Sequence, residues 1–454
     1  MLNRRHLLQA GAVAWTAASA SRVRGANRRL RIALIGCGGR GKRVASAIVE
    51  SPDVEYVAMC DVYKPQAALA KKDLNPAADE YQDFRRALDR DDIDAIHIAT
   101  PDHWHAIPAV LALEAGKHIY CEKPLGHNIV EGRAIVEAAA KRPDLVFLTG
   151  TQQRSAEHIA EVEQMIRDGV IEHVHFVRVW NFANLMPEGT PERPDEAVPD
   201  GLDWDMYLGP APWVPFNRAR FLRTYRAFYD YAGGWITDFG THRFDTVHQV
   251  MGKDIPLAVA ASGGRFAVGG MSDQPDILHV SYQYPDFVLS YEAINTNSFG
   301  AMGQVTPDHV YYGARDEYSR PNGMAFYGSN GTIVLDRLGY EVFPPAPERR
   351  GPYSGGASES AKPLERRARQ GEDPTPAHAA HFVRAVRDGE KSRCDALVGH
   401  RSTIIPHLGN IAYKAGERLH WDAASETFVG ADDATRRLGR RARAPWDLIT
   451  VEES

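Results

Sequence analysis

The chain has 454 residues, too many for one small core and enough for two domains with a C-terminal extension. Apolar residues make up 44% and charged residues 25%, an ordinary balance for a globular protein. A formal net charge of −6 gives no general attraction to nucleic acid or anionic membrane, and four cysteines without a CxxC pair give neither a disulfide framework nor a thiolate zinc site.

Residues 1–20 have the parts of an export signal: Arg4 and Arg5, a weakly apolar stretch from Leu7 to Ala18, and a small-residue cleavage site at Ala18-Ser19-Ala20. The stretch is shorter than the roughly 20 residues that cross a bilayer. Adjacent arginines before His-Leu-Leu resemble a twin-arginine signal. The expectation is export by the twin-arginine machinery to the periplasm or beyond, with no membrane anchor after cleavage and a short arm over 21–29. A frayed amphipathic terminus is the structural alternative.

From residue 30 to 150, β-rich runs ("LRIALIG", "VEYVAMCD", "DAIHIAT", "KHIYCEK", "LVFLTG") alternate with helical patterns at Val44–Glu50, His105–Ala115 and Ile129–Ala140. That alternation predicts a parallel, doubly wound sheet covered on both faces. Gly36-Cys37-Gly38-Gly39-Arg40-Gly41 is a G-x-G-x-x-G at the end of the first strand and the start of a helix. Gly36 permits the tight turn, Gly38 admits a pyrophosphate to the backbone, and Gly41 allows close helix–strand contact. Asp61 lies at the end of the second strand, where a carboxylate can accept a ribose 2′-hydroxyl. It would repel a 2′-phosphate, so NAD is expected; Lys64 nearby keeps NADP possible. A glycine turn in an α/β fold without cofactor is the alternative.

After Gly150 the pattern changes. A helix is predicted over Ile159–Asp168 and a strand over "HVHFVRVWNF", followed by the acidic, proline-rich "LMPEGTPERPDEAVPDG". Further strands are predicted at Leu257–Ala261, Asp276–Tyr284, Phe287–Ala293, Met324–Tyr327 and Thr332–Asp336. Many strands with few intervening helices predict an α/β domain over 151–343 with an open, largely antiparallel sheet. Residues 344–376, rich in Pro, Gly, Ser and charge, read as a surface loop. Helical segments at Ala377–Asp388 and Val398–Ala415 are expected to pack back on the fold within 377–454.

Three stretches, "ATPDHWHA" (99–106), "CEKPL" (121–125) and "GGWITDFGTHRFD" (233–245), stand beside the glycine fingerprint. Together they resemble the Gfo/Idh/MocA oxidoreductase family, to which glucose–fructose oxidoreductase and inositol dehydrogenase belong. The resemblance runs from about residue 29 to 340 and is looser through "DWDMYLGPAP" and the C-terminal helices. It implies an N-terminal Rossmann domain and a C-terminal α/β domain whose open sheet often forms an oligomer interface, hence a homo-oligomer, dimer or tetramer. The family's Glu-Lys-Pro falls on Glu122, Lys123 and Pro124, and its Asp-x-x-x-His on Asp238 and His242. By the same resemblance Thr100, Pro101 and His105 line the adenosine or nicotinamide side, with His105 alternatively capping the helix it begins. Gln152 and Arg154 match positions near nicotinamide and substrate.

The chemistry agrees with these positions. Oxidising a carbinol requires a base for the hydroxyl proton, and a histidine suits that task. Residues four apart share a helix face, so Asp238 and His242 can point into one cleft. His242 is the expected general acid/base, Lys123 the group that hydrogen-bonds the reacting oxygen, and Asp238 the residue that orients substrate or histidine. An ordinary surface pair at 238 and 242 is the bland alternative. No third ligand is evident from spacing, so no metal is expected. Tyr231 and Trp235 could stack on a sugar or simply pack in the core, and the loop at 187–200 could cover the site.

The signal beside the fingerprint adds a constraint. Outside the cytoplasm no large NAD pool is expected to exchange with the enzyme, so its dinucleotide should be tightly bound and regenerated in each cycle. The expected activity is hydride transfer from a carbinol of a sugar, glycoside or polyol. Redox-neutral glycoside cleavage through a transient keto-sugar, known for some family members, is one alternative. A non-catalytic exported sugar-binding protein on a dehydrogenase scaffold is another.

Overall fold

A computed structural model describes residues 29–253, 255–297, 299–300, 303–304, 322–345 and 363–447. The expected signal and nearly all of the arm lie outside these residues.

The first domain is built from six short strands and the helices between them: β1 (Leu30–Ile35), α1 (Gly39–Ile48), β2 (Val54–Cys60), α2 (Lys64–Leu74), β3 (Asp79–Tyr81), α3 (Arg85–Leu88), β4 (Ala95–Ile98), α4 (Ala106–Glu114), β5 (His118–Cys121), α5 (Ile129–Ala140) and β6 (Phe147–Thr149). The sheet order is β3-β2-β1-β4-β5-β6, and every pairing is parallel. Its central strands are buried on both faces, as their apolar runs require. The order reverses between β1 and β4, which opens a crevice at their carboxyl ends. Helix α2 has no counterpart in the predicted elements, because its buried stripe consists only of Ala67 and Ala70.

The second domain begins with α6 (Glu157–Arg167) and β7 (Val174–Phe182). A short strand β8 (Glu188–Thr190) and helix α7 (Trp204–Leu208) lead to the long helix α8 (Trp235–Met251). Then come β9 (Ala258–Gly264), β10 (Gly269–Gly270), β11 (Ile277–Gln283), β12 (Val288–Ile294), β13 (Phe299–Gly300), β14 (Gly303–Gln304), β15 (Asn322–Gly328), β16 (Gly331–Asp336), β17 (Gly339–Phe343) and β18 (Arg367–Gln370). Two helices, α9 (Thr375–Asp388) and α10 (Ala396–Ala415), precede β19 (Leu419–Asp422) and β20 (Thr427–Phe428). Ten of these strands form one sheet in the order β18-β17-β16-β15-β7-β12-β11-β9-β19-β20, antiparallel except where β12 meets β7. One face is covered by α6, α8 and α10, whose Ile159, Phe244 and Leu408 join Val179, Leu289 and Tyr291 of the sheet in the largest core.

The segment read as a surface loop, 344–376, contributes β18, which pairs with β17. Its sequence, Arg-Ala-Arg-Gln, has no apolar alternation because it is an exposed edge, held by backbone pairing and by Arg369 on Glu157 and Glu161. Similarly, the C-terminal stretch adds the strands β19 and β20 to its helices, extending the sheet beside β9.

Helix α9 returns to the first domain. Its Ala379, Phe382 and Val383 share a core with Val44 and Ile48 of α1 and with Tyr120 and Leu148. Phe382 is fully buried, edge-on to Tyr120 with ring centroids 5.7 Å apart. Phe382→Ala should therefore lower stability by about 3–5 kcal/mol, measured as a lower denaturant midpoint; an unchanged midpoint would show that α9 does not brace the first domain.

Candidate active site

At the crevice between β1 and β4, Gly36 has φ +88°, and a β-carbon there would lie 2.5 Å from the carbonyl oxygen of Ala99. Gly41 cannot gain one either, since it would strike the Gly36 carbonyl. Gly38 and Gly39 differ: nothing lies within 4 Å of where their β-carbons would be, and both line a cavity of about 990 Å³. Two glycines are thus required by the fold and two leave room for a ligand against the first turn of α1.

Asp61 closes this loop. Its carboxylate accepts the Cys37 amide at 2.8 Å and the Tyr63 amide at 2.9 Å, which leaves lone pairs for a ligand hydroxyl at the cavity wall. Burial pushes its pKa up to about 6 against those two hydrogen bonds. Across the crevice, Thr100 and Pro101 line the cavity, and Thr100 Oγ1 is buried without a partner. The His105 ring bridges two walls, with Nδ1 2.6 Å from the Pro124 carbonyl and Nε2 3.0 Å from that of Thr100. It therefore holds the "TP" turn against the "KP" turn while also lining the cavity.

Glu122 already has protein partners. It accepts Arg40 Nε at 2.8 Å and Gln152 Nε2 at 3.2 Å, so its role is to aim the Arg40 guanidinium from the first turn of α1. Lys123, next to it, reaches the second domain: Nζ donates to Asp238 Oδ1 at 2.6 Å and to the Asp238 carbonyl at 2.9 Å. Asp238 stands in the first turn of α8, and its other oxygen meets Arg226 Nε at 3.0 Å. Although burial alone would raise its pKa, Arg226 and Lys123 hold the carboxyl well below the usual carboxylate range.

His242 lies one turn further along α8, buried in the same wall. Burial, followed by the positive charges of Arg337 and Lys123, holds its pKa well below the usual histidine value, so the ring is neutral. Nδ1 is sealed and unpartnered among the described residues, leaving Nε2 as the nitrogen presented to the cavity. Asp238 thus orients Lys123 and has no hydrogen bond to His242. Trp235 lines the cavity and stacks on Phe239, with ring centroids 4.9 Å apart.

Two expected substrate residues lie elsewhere. Arg154 is drawn to buried Asp245, with Nε at 2.8 Å from Oδ1, and is not among the residues lining the cavity. Tyr231 is fully buried against His103, Tyr207 and Phe228. Of the loop at 187–200, Gly189 and Thr190 line the cavity, where β8 pairs with β10. Sequence reasoning misses Arg226, Tyr225 and Asp102, which also line it; the Tyr225 hydroxyl donates to Asp102 Oδ1 at 3.1 Å. Arginine among aromatics in "RTYRAFYDY" is the sequence signal for Arg226 and Tyr225, and Asp102 stands within "ATPDHWHA".

Both domains are similar to those of known proteins. The family model described as oxidoreductase family, NAD-binding Rossmann fold, matches residues 30–149, and that for the family's C-terminal alpha/beta domain matches 159–284 and 354–448. Levoglucosan dehydrogenase of Pseudarthrobacter phenanthrenivorans is 32% identical over 337 residues, 68% of this chain and 74% of its own length. A glycosyl hydrolase family 109 protein of Saccharopolyspora erythraea is 31% identical over 215 residues, 42% of this chain and 46% of that protein. A solved structure of levoglucosan dehydrogenase in complex with NADH and levoglucosan superposes with TM-score 0.62 at 20% identity, covering 87% of this chain and 99% of that one, which shows a shared fold.

The open faces of Gly38 and Gly39, the spare lone pairs of Asp61 and the unpartnered Thr100 hydroxyl fit a dinucleotide. Gly38→Ala should keep the wild-type melting temperature yet weaken NAD binding about tenfold or more, because its methyl would occupy ligand space rather than protein space. Calorimetric titration of protein stripped of dinucleotide, with a parallel melt, measures both. Asp61, ionised above about pH 6, should bind the ribose best there; affinity should fall as pH drops through that value and stay flat in Asp61→Asn.

Proposed function

The chain belongs to the Gfo/Idh/MocA family of NAD-dependent sugar and polyol oxidoreductases, and we propose that it is an exported enzyme that removes hydride from a carbinol while keeping its dinucleotide. The convergence of Lys123, Asp238 and His242 at the end of the cavity that begins at the glycine loop carries this reading. NAD, held along Gly38, Gly39 and Asp61, supplies the hydride acceptor.

The protein's own groups handle the proton and the orientation. Two of the Lys123 ammonium protons go to Asp238, leaving the third for the carbinol oxygen. That bond lowers the cost of negative charge on the oxygen as its proton leaves. His242, neutral, accepts the proton at Nε2. The Trp235–Phe239 pair offers an apolar face to the C–H side of a sugar ring. Release of product returns the proton from His242 to solvent.

The export proposal rests on Arg4, Arg5 and the short apolar stretch that follows. It joins the site in one consequence: a dinucleotide that cannot be replenished from a cytoplasmic pool must leave the cell bound. Protein purified from the periplasm and then denatured should release NAD. Sugars and glycosides added beforehand should raise the near-ultraviolet absorbance of reduced nicotinamide without added cofactor. Loss of NAD on simple dialysis would overturn the retained-cofactor reading, and protein confined to the cytoplasm would overturn export.

The similarity to a glycosyl hydrolase family 109 protein favours a second reading. A ketone formed at one carbon acidifies the neighbouring C–H; loss of that proton expels the glycosidic substituent as an alcohol. Water then adds, and the ketone takes back the hydride, giving net hydrolysis without net oxidation. Glycoside turnover in heavy water would place deuterium on the carbon beside the oxidised one, whereas simple oxidation would not.

His242→Ala should lower kcat by about 10²–10⁴-fold while leaving the dinucleotide bound. Steady-state rates and the nucleotide content of the purified variant measure both; an unchanged kcat would remove His242 from the proton path.

A further inference from the structure

At Asp238 the cations outnumber the carboxylate they share. Asp238 is shared between Lys123 Nζ at 2.6 Å and Arg226 Nε at 3.0 Å, so two cations meet one anion. Glu122 is committed to Arg40. Asp102, which also lines the cavity, accepts the Tyr225 hydroxyl, and burial pushes it toward its neutral acid.

Arg226 uses only Nε on Asp238. Its guanidinium carbon lies over the Tyr225 ring, 4.6 Å from the centroid. The side chain is 39% exposed, lines the cavity, and has no protein hydrogen bond at either terminal nitrogen among the described residues. A planar fork packed against an aromatic ring and anchored at Nε by an ion pair is suited to an oxyanion with two equivalent oxygens. A neutral hydroxyl would satisfy only one of its arms and leave the charge unbalanced.

Resting on the proposed carbinol oxidation, we propose that the substrate carries an oxyanion, a carboxylate or a phosphate, within reach of the reacting carbon, and that Arg226 is the specificity-determining residue that receives it. The substrate class is then a sugar acid or a sugar phosphate, or a glycoside of one, rather than a neutral sugar. Arg226 stands outside the short sequence motifs that carry the resemblance, in the short helical turn Leu222–Ala227 that lines the cavity.

The test uses the protein as purified with its dinucleotide. Hexuronates, hexonates, hexose phosphates and their neutral parent hexoses are titrated calorimetrically, and nicotinamide reduction is followed for each. Wild type should bind at least one anionic member about tenfold or more tighter than its neutral parent, as a charge-assisted bidentate contact requires. The carboxylate and phosphate arms identify the source of the oxyanion. Arg226→Leu should collapse that preference, chiefly through KM, and Arg226→Lys should restore part of it. No preference for any anion in wild type, or a preference that survives in Arg226→Leu, would overturn the inference. Anion binding without nicotinamide reduction would instead count against the oxidoreductase reading and leave the subsite standing.

Discussion

The ion pair between Lys123 and Asp238 joins the end of β5 to the first turn of α8 and so closes two domains around one cavity. Lys123 and Asp238 have side chains only 10% and 18% exposed, so neither charge is satisfied by bulk water. Removing one partner of such a pair typically costs about 3–5 kcal/mol, because the other is left buried and unpaired. Here Arg226 on the far oxygen keeps Asp238 ionised even when the lysine is engaged with a substrate. The helix N-terminus favours the same charge, since Asp238 lies in the first turn. A lysine fixed in this way presents its remaining proton in one direction, which is the geometry a reacting oxygen needs.

The rest of the site is arranged around that fixed point. His105 ties the turn after β4 to the Pro124 carbonyl and thereby sets where Lys123 begins. Glu122, one residue earlier, pulls Arg40 over the start of α1. The same two-residue stretch thus positions two cations, Arg40 and Lys123, on the wall of the cavity. His242 is kept neutral by burial and by the surrounding positive charge, the state that the proposed proton transfer requires.

The parts legible in the sequence are those whose demands are local. The glycine loop follows a strand and needs φ above zero at Gly36 and close contact at Gly41, so its chemistry is written in consecutive residues. Asp238 and His242 share a helix face because they are four apart, and the apolar runs of β1, β2 and β4 announce a buried parallel sheet. What sequence alone does not give is the partner across the fold. Tyr225 and Asp102 meet over 123 positions, and Arg154 is captured by Asp245 over 91, which takes it from the substrate to a structural pair. Tyr231 has the same composition signal as Trp235, four residues away, yet one is core and the other cavity wall. Edge strand β18 is equally silent, since backbone pairing needs no particular side chains.

The central claim is that a carbinol hydrogen passes to a dinucleotide the protein already holds, with His242 taking the proton. The direct measurement is mass spectrometry of the dinucleotide released by denaturing the enzyme after one turnover with a substrate deuterated at the reacting carbon. The account predicts reduced nicotinamide carrying one deuterium in the wild type and almost none in the same time with His242→Ala. Released dinucleotide that is oxidised or free of label in the wild type, with product formed, would contradict it.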